Sequence, residues 1–264
     1  MLLEEMTWEE VNQLDRSTVV VAPFGATEQH SLHLPLQTDA LIAQELSRRL
    51  DAACGGRLLV LPAQWLGYSP HHMAFSGTLT ATASTYIAMA GEILNSIAQA
   101  GFRNILILNS HGGNAASLEI VLAEFQSTHP AVQAVLVTYW NVAARELQQL
   151  RESPDGGMGH ACELETSLVL AVAPQLVRRE KLEPDGMAPR SRFLYRDMLA
   201  PGCVSVWWNP AQTSEHGGEG DPRSASAEKG ERFFSAIVGR LAQVVEELRS
   251  GGFGTPRRPG QGRV

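Results

Sequence analysis

Carboxylates and imidazoles gather in two short stretches of this chain. The first is GATEQHSLHLPLQTD, residues 25–39, which holds Glu28, His30, His33 and Asp39. The second is LNSHGGN, residues 108–114, which holds His111. Side chains two apart on an extended backbone project to the same side, so Glu28 and His30 are expected to aim at one point. Oxygen and imidazole donors converging there would suit a hard-to-borderline divalent ion such as Zn, Mn or Fe. A lone Glu-x-His would equally be a solvated polar loop. Asp39 opens a helical pattern, where the helix dipole favours a carboxylate with no metal at all, so taken alone it reads as structural. His33 has the chemistry of a fifth ligand but reads better as a supporting or surface residue.

His111 directly follows an apolar run, and Gly112-Gly113 frees the backbone to turn beside it. Asn114 is placed to cap the next helix. Ser110 is a nucleophile by type, yet it lacks the GxSxG elbow of serine hydrolases. A third stretch, HACELETSLVLA at 160–171, sets a histidine and two acids against an apolar run. Burying such groups is costly unless they are paired or bound to metal, although a helix start decorated with acids is the plainer account. If the stretch is helical, His160 and Glu163 share a face and Glu165 points away from both. Cys162 reads as a packed thiol rather than a nucleophile.

These residues need a scaffold, and the apolar pattern supplies one. Four nearly continuous apolar runs, Thr18 to Pro23, Arg57 to Pro62, Asn104 to Leu108 and Ala134 to Tyr139, predict strands buried on both faces. Helical patterns lie between them at Asp39 to Ala53, Thr82 to Ala100 and Ala115 to Thr128. Strands alternating with helices predict βαβ units and an α/β fold around a mostly parallel sheet. Ligands of such sheets bind beyond the carboxyl ends of the strands, where the first two stretches fall. Thr7 to Glu10 predicts a capping box, and a last amphipathic helix is expected from about Ala225 to Arg249. With no internal linker, residues 1–250 are expected to form one domain, and the Gly-, Pro- and Arg-rich tail 251–264 to be disordered.

A formal net charge of -7 with no long basic run argues against a nucleic-acid partner. Cys54, Cys162 and Cys203 are odd in number and far apart, which predicts free thiols of a reducing compartment. The acidic N-terminus resembles no signal peptide, and no apolar stretch is long enough to span a bilayer. A cytoplasmic protein without a membrane role is expected.

GATEQHSLHLPLQTD, LNSHGGN and HACELETSLVLA, together with PHHMAFSGT at 70–78 and GEGDPRSASAEKGE at 218–231, resemble the creatininase (creatinine amidohydrolase) family in order and over most of the chain. The resemblance implies a three-layer α/β/α sandwich, a centre of two divalent ions (Zn, with Mn or Fe as alternatives) and a hexameric homo-oligomer. It implies that Glu28, His30, Asp39 and His111 are metal ligands, with Asp39 bridging. Creatininase itself has an acidic ligand two residues after the histidine that matches His111, where this chain has Gly113. Glu163 is expected to replace it, because the chain is similar to relatives with an HAGE-type stretch, a formylamino-pyrimidine deformylase and the mycofactocin-maturation peptidase. His160 matches the catalytic histidine and Glu165 an acid that supports it.

The activity this implies is hydrolysis of a C–N amide bond in a cyclic amide, formamide or small peptide-like substrate. His160 would protonate the departing nitrogen, with His33 or His72 as the next candidates. Two other readings stand beside it. One is a metal-dependent phosphoesterase, which the acidic balance and missing basic cradle disfavour. The other is a non-catalytic metal-dependent binding protein on the same fold, which an intact His160 disfavours.

Overall fold

The computed structural model describes residues 1–186, 193, 194, 197–200, 204–207 and 209–253. Most of the expected tail, from 254, and Cys203 lie outside the described residues. The central sheet has four parallel strands, β1 (Val19–Phe24), β2 (Leu59–Val60), β3 (Asn104–Asn109) and β4 (Gln133–Thr138), in the order β2-β1-β3-β4. The register runs from Val19↔Asn104 to Phe24↔Asn109 and from Asn104↔Gln133 to Asn109↔Thr138, so β1, β3 and β4 end level with one another.

Alternation along the strands explains why their apolar runs are unbroken. Val19, Val21, Leu106 and Leu108 enter one core, while Val20, Ala22, Ile105 and Ile107 enter the other. Each strand thus serves two cores, as expected where helices cover both faces. β4 alternates in the same way, with Val135 and Val137 on one core and Ala134 and Leu136 on the other, but at the edge of the sheet all six of its residues are only half-buried.

The helices are α1 (Trp8–Gln13), α2 (Thr38–Ala53), α3 (Ala83–Gln99), α4 (Ala115–Thr128), α5 (Tyr139–Val142), α6 (Ala144–Leu150), α7 (Glu163–Val172) and α8 (Ala227–Arg249). The expected capping box is present at α1, where Thr7 and Glu10 satisfy each other's backbone N–H. Residues of α2, α7 and α8 pack on one face of the sheet, and those of α3 and α4 on the other. A second, antiparallel pair, β5 (Met158–His160) and β6 (Glu219–Gly220), sets His160 opposite Glu219. No helix among the described residues is long and apolar enough to cross a membrane.

α7 carries Glu163 and Glu165, and α8 packs closely against it. A Cβ at Gly230 would lie 2.0 Å from the Ser167 carbonyl oxygen, so a side chain there must push the two helices apart. Gly239, on the same helix, has nothing within 4 Å of that position. We expect Gly230→Ala to destabilise the fold by about 1–3 kcal/mol, despite the roughly 1 kcal/mol that Ala gains over Gly in a helix. Gly239→Ala should raise the melting temperature instead. Equal stabilisation of both variants in thermal unfolding would contradict this packing.

Candidate metal centre

The level ends of β1 and β3 set the stage. Beyond β1 the chain runs through Glu28 and His30, both buried, and beyond β3 through buried His111. Asp39, in the first turn of α2, closes the same space and is also buried. Ser110 donates its hydroxyl to the Asp39 carbonyl oxygen at 2.8 Å, tying the start of α2 to the end of β3. Ser110 is an anchor, its hydroxyl committed to the carbonyl oxygens of Phe24 and Asp39. Asn114 leaves α4 uncapped by its side chain; its Nδ2 donates to the Gly25 carbonyl, and its Oδ1 accepts from Tyr68 N–H.

The donor atoms converge. Asp39 presents one oxygen to each side: Oδ1 lies 3.2 Å from His30 Nε2, and Oδ2 lies 3.1 Å from His111 Nδ1. Glu28 Oε1 lies 3.3 Å from His111 Nδ1 and 3.7 Å from His160 Nδ1. Glu165 Oε1 approaches His30 Nε2 at 3.9 Å. Glu28 Oε2 and Asp39 Oδ2 are buried without a hydrogen-bond partner. Buried carboxylate oxygens left without a partner among converging imidazoles are what donors aimed at a common ion would show. Among the described residues, four sets could hold a cation: Glu28-His30-Asp39, Glu28-His71-His111, His30-His160-Glu165 and Glu28-His72-His160.

Carbonyl contacts decide which ring nitrogens carry protons, because a carbonyl oxygen only accepts. His30 Nδ1 donates to the Glu28 carbonyl at 3.1 Å, His111 Nε2 to the Tyr68 carbonyl at 3.1 Å, and His160 Nε2 to the Gln29 carbonyl at 2.7 Å. In the neutral ring the other nitrogen therefore turns its lone pair toward the carboxylates, the outer contact setting the tautomer as it does for metal-binding histidines, and in protonated His30 or His111 that nitrogen carries the second proton. His72 is arranged oppositely. Gln29 Nε2 donates to the Gly217 carbonyl at 2.8 Å and to His72 Nδ1 at 2.7 Å, which leaves the His72 Nε2 proton facing Glu28 Oε1 at 3.4 Å.

The electrostatics follow from burial and crowding. Burial opposes the charge on Glu28, but His111, His72 and His160 outweigh it and hold the carboxyl well below its usual range. Burial raises Glu165 to about 7, helped by repulsion from Asp39 and Glu28 and opposed by His30. Burial also opposes the charge of His30, yet Asp39, Glu165 and Glu28 lift it to about 9. His160 is pushed down to about 3 by burial and by His30, so its imidazole is neutral near pH 7. Protonated imidazoles stand where a cation would relieve the carboxylates.

Two expectations from the sequence require correction. Glu163 does not reach the cluster. Its Oε1 takes a proton of Lys229 Nζ at 2.6 Å, and its oxygens accept the backbone N–H groups of Glu152 and Ser153. The helix begins at Glu163 rather than before His160, which lies on β5, so the two never share a helical face. Glu165, two residues on, is turned to the opposite side, and Ala161 in the left-handed region (φ 51°) folds His160 back beside it. His30 and His160 have ring centroids 4.3 Å apart.

His33 lies behind the cluster, buried, with Nε2 2.9 Å from Thr166 Oγ1. Cys162 is buried and its thiol pushed well above its usual range by burial and by Glu165, which rules it out as a ready nucleophile. His71 and the placement of His72 had no local signal, because a turn distant in sequence delivers them, and Gln29 gains its role only from contacts with His72 and His160. A cleft of about 560 Å³ opens onto the cluster, walled on its apolar side by Trp140, Leu194, Met198, Val204 and Val206.

The family model described as Creatininase, creatinine amidohydrolase, matches residues 4–245. The chain is 30% identical over 226 residues to the mycofactocin precursor peptide peptidase of Mycobacterium ulcerans (strain Agy99), covering 83% of this chain and 81% of that protein. It is 27% identical over 263 residues to the creatinine amidohydrolase of Pseudomonas putida, covering 92% and 95%. A solved creatinine amidohydrolase (creatininase) superposes with a TM-score of 0.80 at 25% identity, covering 97% of this chain and 98% of the other. Solved creatininases similar to this chain include a manganese form and a Zn-Zn form.

The Glu163–Lys229 pair yields a test of its own. Its hydrogen bonds, led by Lys229, hold the Glu163 carboxyl below its ordinary value against the opposing effect of burial. A depressed carboxyl contributes stability above the unfolded-state value of about 4.5, lost as pH falls through the folded value. Glu163→Gln should therefore cost about 1.5–3 kcal/mol at pH 7, where it leaves the buried ammonium of Lys229 with only Glu152 and the Ser224 carbonyl, and progressively less as pH falls through the folded value. Metal content should stay at the wild-type level. Loss of metal with unchanged stability would restore Glu163 as a ligand.

Proposed function

This chain belongs to the creatininase family, and on that premise we propose that it is a metal-dependent amidohydrolase that uses two divalent ions. The observation that carries the reading is the buried meeting of Glu28, Asp39 and Glu165 with inward-facing lone pairs of His30 and His111. One position is bounded by Glu28 and His111 and the other by His30 and Glu165, with an oxygen of Asp39 turned to each. Oxygen and imidazole donors fit zinc, with manganese or iron as alternatives. Bound ions would polarise an amide carbonyl and acidify water.

The protein's own groups then position and move protons. His160 keeps its Nε2 proton on the Gln29 carbonyl, so a neutral Nδ1 is available to accept a proton from the attacking water. Returning that proton to the departing nitrogen makes His160 first base and then acid. The role first expected, proton donor alone, is thereby widened. Glu165 serves as a ligand in this reading rather than as an orienter of His160. His72 Nε2–H holds the Glu28 carboxylate in place. The apolar wall of the cleft suits a peptide-like or cyclic amide with a hydrophobic part. No lysine or arginine lines the cleft among the described residues, which disfavours the phosphoesterase reading. Homo-oligomeric assembly and a cytoplasmic location belong to the same proposal, supported by family resemblance.

The direct test is turnover by zinc- and manganese-loaded protein on cyclic amides, formamides and short peptides. Asp39→Ala should lose bound metal in elemental analysis and abolish turnover. Wild-type metal content in that variant would remove the bridging role. His160→Asn should keep its metal while turnover falls by about 10²–10⁴-fold, the usual contribution of a positioned proton-transfer group. Near-normal turnover in that variant would assign the proton to another group.

A further inference from the structure

The turn Ser69-Pro70-His71-His72 reaches the cluster from between α2 and α3 and does more than cover it. Gly113 stands beside His111, and the turn fills the space a side chain there would need. A Cβ on Gly113 would lie 2.2 Å from the Tyr68 carbonyl oxygen, 2.4 Å from His111 Nε2 and 2.9 Å from His71 Cε1. No carboxylate can therefore be offered from position 113. The turn is fastened where it lies: Tyr68 N–H donates to Asn114 Oδ1 at 2.9 Å, His111 Nε2–H to the Tyr68 carbonyl, and Ser69 N–H to Thr80 Oγ1 at 2.8 Å.

This fastening sets the His71 ring nearly parallel to that of His111, with centroids 5.8 Å apart and planes at 6°. A ring nitrogen of His71, a nitrogen of His111 and an oxygen of Glu28 all lie within 4.8 Å of one another. His71 is half-buried and lines the cleft, so an ion held by these three would keep a face open to substrate. His72, its neighbour, is committed through Gln29 to donating toward Glu28 and offers that carboxylate no competing lone pair.

We infer that His71 is a metal ligand of the Glu28–His111 position. The inference rests on the metal-centre reading above and adds to it an imidazole from a separate turn. Its consequence is a change of donor type. With Glu28, Asp39, His71 and His111, the position has two nitrogens beside two carboxylates. Nitrogen donors favour zinc and its neighbours, whereas carboxylate-rich sets suit manganese. His71 thus tilts this position toward zinc.

The test compares wild type, His71→Ala and His71→Glu after metal removal by chelator and reloading with zinc, manganese or cobalt. Far-UV circular dichroism and thermal unfolding establish that each is folded. Zinc affinity and stoichiometry are read by elemental analysis against a competing chelator, and ligand change by the visible bands of the cobalt form. His71→Ala should weaken zinc at one position by more than about 10–100-fold, the loss typical of disturbing only an outer contact, and leave the second position intact. His71→Glu should regain full occupancy and shift zinc-over-manganese preference toward manganese by at least about 10-fold. Wild-type zinc affinity, stoichiometry and cobalt spectrum in His71→Ala would overturn the inference while leaving the metal centre standing. Failure of the wild-type protein to take up any of the three metals would overturn the metal centre, and the inference with it. Should His71→Ala fail to fold, His71→Gln, which keeps a polar side chain of similar reach but no imidazole, is read by the same criteria.

Discussion

Glu28, Asp39 and Glu165 are three carboxylates withdrawn from water into one small space, and their mutual repulsion is the constraint the rest of the site answers to. Carboxylates in low dielectric demand a counter-charge or a proton. Glu165 lies at the margin, raised to about 7 by burial, while His30 is lifted to about 9 by the surrounding acids. In that balance imidazolium protons occupy the role of a divalent cation. A divalent ion taken up there would have to displace protons, which would couple the chemistry of the site to the stability of the fold.

Everything that surrounds the carboxylates serves to keep them there. The shared register of β1 and β3 brings the segments bearing Glu28 and His111 side by side. Ser110 ties the first turn of α2 to the end of β3, fixing the backbone of Asp39. The third acid comes from α7, distant in the chain, held by its packing against α8 and by the Glu163–Lys229 pair behind it. A buried ion pair contributes little net stability against an apolar replacement, so its value here is better sought in orienting α7.

Backbone carbonyls do the remaining work of selection. Those of Glu28, Tyr68 and Gln29 each accept from one nitrogen of an imidazole and so turn the other toward the carboxylates. Gln29 is central, since its backbone carbonyl sets His160 while its side chain sets His72 in the opposite sense. Two histidines of the same type thereby acquire different uses, one with an open lone pair and one with an inward proton.

The α/β class and the parallel sheet were legible in the chain, because strands buried on both faces need unbroken apolar runs and the helices between them repeat near 3.6 residues. The grouping of Glu28, His30, Asp39 and His111 was also legible, since strand ends of a parallel sheet lie together and local spacing aims Glu28 and His30 alike. The third stretch resisted. Whether Glu163 or Glu165 faces the cluster depends on where α7 starts and on the turn at Ala161, since each residue of offset turns a helical side chain by about 100°. Lys229 claims Glu163 across 66 residues, a pairing no local pattern records. His71, His72 and Gln29 gain their meaning from contacts made through the folded chain, so tertiary structure alone decided which imidazoles meet the carboxylates and which nitrogen each presents.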